Sequence, residues 1–368
     1  MIIVLDTNIV YKSRFKSPLF EALLDWLSRS EDDSLIIPQL VIDEAVNKCR
    51  EAIVKIQLDL KRQLKEFQEW TGEGLSLSLT DDKIQSTLAT YEQTLKDTIR
   101  RASATIQPYP AASHEQLVAK CLARKKPFSG DGQKGYRDAL IWESVLEILV
   151  EDEVTFITEN SNDFFEKGKQ VLHPHLLEDL LRNNIDANQI TVFKDLHSFV
   201  DTYVKPAMEK LDLESVRSDL SFGLGRYDKE VIADAILQAL CSYDYGDEIN
   251  PHKIGLPSEV EDIIVSYVED LSDFHVVDAY KLSSGAWFIE AIALASYQFD
   301  FFILKADWYG MDEEAPIDVI SSDWNDHYIY AQAVKPIQVS FTLTFNESAG
   351  TVTCIEVNAL ASVLPYQK

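Results

Sequence analysis

The sequence predicts an α/β domain with a parallel sheet, followed by a smaller α+β domain with an antiparallel sheet. Three observations support this fold class. Short β-branched apolar runs alternate with helical patterns over roughly the first 200 residues. Two long helical patterns interrupt that alternation and predict an αα-hairpin insertion at about 45–107. From Phe274 onward, apolar and polar residues alternate, which is typical of antiparallel strands.

The first domain is expected to contain four strands in one doubly wound sheet. A helix with Leu19, Leu23 and Trp26 on one face joins the first two strands and completes a βαβ unit. Residues 138–150 are apolar on nearly all sides, so this helix is expected to be buried. The predicted strands are 2–5, 34–38, 153–158 and 189–193.

A domain boundary is expected near residue 205, which gives domains 1–205 and 206–368. The second domain is expected to begin with two helices and to continue with strands separated by hairpin-length breaks. The predicted helices are 227–240 and 258–271, and the predicted strands are 274–282, 286–308, 334–347 and 351–360.

The chain is acidic, with a net charge of −27, and its acidity is uneven. Residues 201–368 contain 29 acidic and 10 basic residues, whereas residues 1–200 contain 32 and 24. This charge argues against a general nucleic-acid coat protein. The four cysteines form no CxxC pair, which disfavours a zinc site. No signal peptide or membrane-length apolar run is recognised, so a cytoplasmic location is expected.

Four carboxylates fall where a predicted strand ends or a helix begins. Asp6 ends the first strand, Glu44 lies on the first turn of the next long helix, Asp138 begins the buried helix, and Asp163 follows the third strand. We expect them to converge at one sheet edge, where carboxylates without basic partners would repel each other. Oxygen ligands of this kind favour Mg²⁺ or Mn²⁺, which can activate water against a phosphodiester.

Each acid also has a purely structural interpretation. Asp6 could end a strand in a turn, and Glu44 could lie on a solvated helix face. Asp138 could be an N-cap, and Asp163 could form an Asx turn. The position of all four at one inferred edge favours a site.

Four segments resemble the PIN domain, a metal-dependent ribonuclease fold: "IIVLDTNIVY", "LIIPQLVIDEAV", "YRDALIWESVL" and "VTFITENSNDFF". The resemblance covers about residues 1–200, and no resemblance is recognised for residues 201–368. It implies that the acid in each segment is a catalytic metal ligand. It also implies that polar neighbours support these acids, and Asn160 stands where many members have Asp. The implied ligands are Asp6, Glu44, Asp138 and Asp163, and the supporting residues are Thr7, Asn8, Thr158 and Asn160.

The resemblance implies a metal-dependent endoribonuclease that hydrolyses RNA, as in toxins and RNA-processing enzymes, so a toxin or defence effector is one expectation. The alternative is a catalytically degenerate PIN fold that binds or regulates. Flap-type DNA nucleases share related folds, so RNA rests on the family alone. An aspartyl-nucleophile phosphatase is disfavoured because no second aspartate follows two residues after Asp6.

A basic, glycine-containing segment, residues 120–137, leads into Asp138. We expect it to hold RNA phosphates, with Phe128 or Tyr136 stacking on a base. The alternative is a solvated loop, and no role is predicted for His173 or His175. The expected substrate-binding residues are Lys120, Arg124, Lys125, Lys126, Lys134 and Arg137.

The second domain, with its net charge of −19, is not expected to bind nucleic acid. We expect it to act as a protein-interaction or regulatory domain, which could restrain the nuclease by occupying the basic segment. The alternative is that its acids only keep the protein soluble and that the sheet mediates dimerisation through an exposed edge.

Overall fold

The computed structural model describes residues 1–13, 17–74, 80–101, 104–223, 230–232, 234, 251, 255–310 and 317–362. The chain divides into two compact units, Met1–Ala207 and Met208–Lys368. They are called the N-terminal unit and the C-terminal unit below.

The N-terminal unit is built on a five-stranded parallel sheet with the order β3-β2-β1-β4-β5. Two of the three inner strands are almost wholly buried, which suits a sheet covered on both faces: β4 at every residue and β1 at all but its first. The strand order reverses direction at β1 and β4, and such switch points form crevices at the carboxyl ends of strands. The strands are β1 (Ile2–Leu5), β2 (Ser34–Pro38), β3 (Thr105–Gln107), β4 (Val154–Ile157) and β5 (Ile190–Phe193).

Helices connect these strands, and several begin at recognisable caps. The Ser17 hydroxyl accepts from Phe20 N at 3.1 Å at the start of α2, and Ser113 and Gln116 form a capping box on α5. The helices are α1 (Thr7–Ser13), α2 (Pro18–Arg29), α3 (Gln39–Thr71), α4 (Asp81–Arg101), α5 (His114–Leu122), α6 (Tyr136–Leu149), α7 (Ser161–Phe164), α8 (Pro174–Arg182) and α9 (Leu196–Phe199), with short 3₁₀ or π turns at 187–189, 200–204 and 205–207.

Helix α6 begins at a glycine that the chain requires. Gly135 has φ 99°, and a Cβ there would lie 2.8 Å from Phe128 Cα and closer still to the Pro127 carbonyl oxygen. Only glycine tolerates both the backbone angle and this approach. Gly135 is therefore the N-cap, and Asp138 lies in the first turn of α6. The alternative interpretation of Asp138 as the N-cap of this helix is therefore excluded.

The predicted helical hairpin is formed by α3 and α4. Helix α3 begins at Gln39, so Glu44 lies on its second turn rather than its first. Helix α4 ends at Arg101, and the chain then forms β3 beside β2. Sequence analysis did not predict this edge strand, because three residues carry too little periodicity to be recognised.

The C-terminal unit contains an antiparallel sheet with the order β11-β10-β8-β7-β6, and β9 pairs with β10. The predicted α/β fold followed by a smaller α+β domain is thus confirmed. One element differs. Residues 258–271 were expected to be helical, but the chain is extended there and pairs with β8, with several register shifts. Its β-branched run suits a strand, and pairing to a long neighbour overrides the local helical spacing.

The remaining elements of the C-terminal unit flank this sheet. Most of the helix expected at 227–240 lies outside the described residues. The elements are β6 (Glu209–Lys210), α10 (Leu213–Gly223), β7 (Val260–Lys281), β8 (Trp287–Leu304), a one-turn helix (Lys305–Trp308), β9 (Asp318–Ser321), β10 (Tyr328–Asn346) and β11 (Thr351–Ser362).

Candidate metal centre

Asp6 lies at the carboxyl end of the central strand and is only 2% exposed. Its two carboxylate oxygens accept from Thr7 N at 2.6 Å and from Thr158 Oγ1 at 2.6 Å. The pKa of Asp6 is raised to about 6, chiefly by burial and also by the charges of Asp138 and Glu44, although the two hydrogen bonds lower it. A buried carboxylate with this balance is an attractive position for a cation.

Asp138 connects the acids of the site electrostatically. Burial is the largest cause that raises the pKa of Asp138, and the charges of Asp163 and Glu44 raise it as well. Asn160 Nδ2 donates to Asp138 Oδ1 at 3.0 Å, and Asn160 N donates to Thr158 Oγ1 at 3.0 Å. Because Asp6 also interacts with Asp138 and Glu44, all four predicted carboxylates belong to one cluster of mutually repelling charges.

Glu44 approaches Asp6 from helix α3. Thr7 Oγ1 donates to Glu44 Oε2 at 2.9 Å, so Thr7 joins the two acids through its backbone N–H and its hydroxyl. Arg137 Nη1 lies 2.8 Å from Glu44 Oε1. Asn8, which was expected to orient Asp6, instead accepts from Lys48 Nζ at 3.0 Å.

Asp163 lies in the short helix α7, and it also has a cationic partner. Lys126 Nζ is 2.8 Å from Asp163 Oδ1. The backbone N of Lys126 donates to His175 Nδ1 at 3.1 Å. This hydrogen bond fixes the backbone position from which the lysine side chain extends to Asp163. The expectation of an acidic cluster without basic partners is therefore wrong, since Arg137 and Lys126 each neutralise one acid.

The donor set fits a hard divalent cation. All four acids offer carboxylate oxygens, and these are the ligands that Mg²⁺ and Mn²⁺ prefer. Asp6 and Asp138 both carry raised pKa values, and a nearby cation would relieve the repulsion that contributes to them.

The basic segment is not a uniform phosphate-binding surface. Lys120 Nζ lies 2.8 Å from the buried carboxylate of Asp179, which also accepts from Trp142 Nε1, so Lys120 holds the fold together. Lys125 pairs with Glu178 at 2.6 Å. Lys125 could contact RNA only if its ion pair with Glu178 were broken.

Two other residues of the segment are more accessible. Arg124 is exposed, and Lys134 lies in a turn where its backbone bonds to Ser129. Phe128 is 2% exposed and packs against Leu117, so it cannot stack on a base as the sequence suggested. Tyr136, which is 48% exposed, can.

Sequence analysis missed Lys48 and His175, which position Asn8 and Lys126. Lys48 lies four residues after Glu44, so helical spacing could have placed it on the same face. Nothing local connects His175 to Lys126, since 49 positions separate them.

The family model of the PIN domain matches residues 3–164. The five-stranded parallel sheet of the N-terminal unit fits a PIN-like fold, and the family match over residues 3–164 confirms the resemblance found in the sequence. PIN domains are generally nucleases that use divalent metals. No family model matches the C-terminal unit, and no curated protein or solved structure matches the chain. Within the described residues, no helix is both long and apolar enough to cross a membrane.

Proposed function

We propose that this chain is a metal-dependent endoribonuclease whose site is formed by Asp6, Glu44, Asp138 and Asp163. The observation that carries the proposal is the carboxylate of Asp6, which is 2% exposed and is held by Thr7 and Thr158 at the switch point of a PIN-like sheet. Burial and the charges of Asp138 and Glu44 raise its pKa to about 6. Burial of one carboxylate beside others destabilises the folded protein, and such arrangements are common at functional sites.

The chain's own residues would prepare this site. Thr158 and Thr7 orient Asp6, and Asn160 orients Asp138, each by a hydrogen bond to a carboxylate oxygen. A divalent cation, when bound, would activate water and stabilise the leaving oxygen of the phosphodiester.

Displaced from the acids, Lys126 and Arg137 would contact the phosphates of the RNA. Exposed Arg124 and Lys134, and Lys125 once released from Glu178, would extend this contact along the strand. Cytoplasmic location and a role as a toxin or defence effector belong to the same proposal.

A catalytically degenerate PIN domain is the second candidate. The ion pairs of Lys126 with Asp163 and of Arg137 with Glu44 favour it, because both cations occupy carboxylates that the proposal gives to a metal. On this view the cations replace the metal permanently, and the domain binds without cleaving.

The test is incubation of the purified full-length chain with single-stranded RNA and DNA, in Mn²⁺, Mg²⁺ or chelator. We expect internal RNA cleavage with metal and none with chelator, and loss of cleavage in Asp6→Asn. Asp32→Asn is the matched control, since Asp32 is exposed beside the amino end of β2, at the opposite edge of the sheet. Cleavage of DNA alone would remove RNA as the substrate. Absence of cleavage with every metal would favour the degenerate domain.

A further inference from the structure

Four aromatic rings gather on the outer face of the C-terminal sheet. Phe302, on β8, lies 5.7 Å from Trp324, 5.6 Å from Tyr330 and 6.4 Å from Tyr328, measured between ring centroids. Trp324 and Tyr330 are 5.3 Å apart. Trp324 is 54% exposed, although it is the largest of the four. We call these four residues the aromatic cluster.

Strand register places this cluster on the face opposite the core. On β8, the neighbours of Phe302 in sequence, Phe301 and Ile303, are fully buried, so Phe302 points the other way. Tyr330 lies directly across from Phe302 on β10, and Glu261 lies directly across from it on β7. Glu261, Phe302 and Tyr330 therefore form one cross-strand row.

Two carboxylates contact the tyrosines of this cluster. Tyr328 Oη donates to Glu261 Oε2 at 3.1 Å. Burial raises the pKa of Tyr330, and the charge of Asp300 and a hydrogen bond to it add to that shift. Asp323 directly precedes Trp324; its side chain is 94% exposed, and its Oδ1 lies 3.5 Å from Lys305 Nζ. In sequence, residues 300–330 contain eight acidic residues and one basic residue, Lys305.

The combination of rings and acids selects the charge of an occupant. An aromatic face attracts cations, and Trp does so most strongly. Nearby carboxylates add attraction over roughly a Debye length, about 8 Å at physiological salt. The same field repels RNA phosphates, although aromatic rings elsewhere can stack on bases. Arginine fits best, because its planar guanidinium stacks on rings and pairs with carboxylates.

We propose that the aromatic cluster and its acidic rim dock a basic, arginine-containing segment of a partner protein. The rim is formed by Glu261, Asp300 and Asp323. This site is separate from the acids of the N-terminal unit and does not depend on nuclease activity. It gives the acidic unit a specific ligand chemistry, namely guanidinium groups spaced along an extended chain.

The test uses the full-length chain and a fluorescent peptide of alternating arginine and glycine, with binding followed by anisotropy. Trp324→Ala should weaken binding by about 3- to 30-fold, the range expected for one cation–π contact. Tyr309→Ala is the matched control, because Tyr309 is 83% exposed in the same unit and lies outside the cluster. Both variants keep the net charge, so general attraction to an acidic chain would leave them equal to wild type and would overturn the proposal.

A second pair of variants decides the matter if Trp324→Ala alters the circular dichroism spectrum. Asp323→Asn should weaken peptide binding more than Glu214→Gln, which removes one exposed charge from α10. Equal effects would overturn the site. A single-stranded RNA probe completes the design. We expect the RNA not to bind to the aromatic cluster. If RNA binds and Trp324→Ala weakens that binding, the cluster is a site for nucleotide bases, and the proposal of a basic segment is overturned.

Discussion

The two units use acidic residues in opposite ways. In the N-terminal unit, Asp6 is buried and its neighbouring carboxylates are at most partly exposed, and strands and helices bring them together. In the C-terminal unit, acids such as Asp323 lie exposed beside aromatic rings on a sheet face. Buried oxygens suit a small, hard cation, whereas exposed acids beside rings suit a weakly hydrated organic one. Burial, more than net charge, distinguishes the two sites.

The largest expected effect concerns Asp138. Replacing it by Asn should lower the rate of RNA cleavage at least about 100-fold. Mutation of a residue that only supports a metal ligand commonly lowers metal affinity or activity about 10- to 100-fold, and loss of a ligand should cost more. Glu151→Gln removes one exposed acid just beyond the other end of α6 and should leave the rate unchanged. Initial rates of cleavage measure both. Equal rates for the two variants would place the chemistry elsewhere.

A neutral neighbour should matter nearly as much. Thr158→Val removes the hydroxyl that donates to Asp6 and should lower cleavage about 10- to 100-fold. Thr155→Val is a closely matched control. Thr155 is 2% exposed and Thr158 is 0% exposed, and they lie three residues apart, but the Thr155 hydroxyl donates to Met1 Sδ and not to Asp6. If both valine variants lose activity equally, the loss reflects packing of β4 and not orientation of Asp6.

The stability of the metal-free protein should reveal the cost of burying Asp6. Its pKa is about 6 when folded, against 3.8 for the ordinary group, so the folded protein binds this proton more tightly than the unfolded chain. The carboxyl therefore contributes stability at low pH and loses it as pH rises through about 6. Asn does not ionise, so the free energy of unfolding of Asp6→Asn should exceed that of wild type at pH 7.5 by about 1–3 kcal/mol.

Urea unfolding in chelator at pH 4 and pH 7.5 measures this difference. The gain should be small at pH 4 and should appear as the pH rises. Asp32→Asn should show no such dependence, because Asp32 is exposed. A gain that is the same at both pH values would contradict a buried, ionised Asp6.

The smallest expected effect concerns Lys126. Replacing it by Met frees Asp163 from a competing cation and should tighten Mn²⁺ binding by up to about fivefold, since a partly exposed ion pair contributes less than about 1 kcal/mol. Lys125→Met should leave Mn²⁺ binding unchanged, because its partner is Glu178. Calorimetric titration of both variants separates these outcomes. Unchanged affinity in Lys126→Met would mean that Asp163 is not a ligand.

Much of the parallel sheet was predictable because its strands are continuous apolar runs. The limits of β1 and β2 follow from such runs at 2–5 and 34–38. The edge strand β3 was missed because it has three residues. The first half of β7 was taken for a helix because its partner strand, not its own spacing, determines its conformation, whereas its second half was predicted as a strand.

The proximity of the four acids was predictable from the sequence, and their pairing with lysine and arginine was not. Sheet topology alone placed Asp6, Glu44, Asp138 and Asp163 near one another, since carboxyl ends of parallel strands share an edge. The pairing of Lys126 with Asp163 joins side chains 37 positions apart through loop geometry. No local pattern in the sequence encodes that contact.

The most direct test of the central claim is Mn²⁺ binding to the full-length chain, followed by electron paramagnetic resonance. Asp6→Asn/Asp138→Asn removes two acids from the N-terminal site, and Asp318→Asn/Asp323→Asn removes two exposed acids from the C-terminal unit. The net charge changes equally in both double variants. We predict that the first loses tight Mn²⁺ binding and that the second keeps it. Equal loss in both, or tight binding retained in the first, would contradict a metal centre at the edge of the PIN-like sheet.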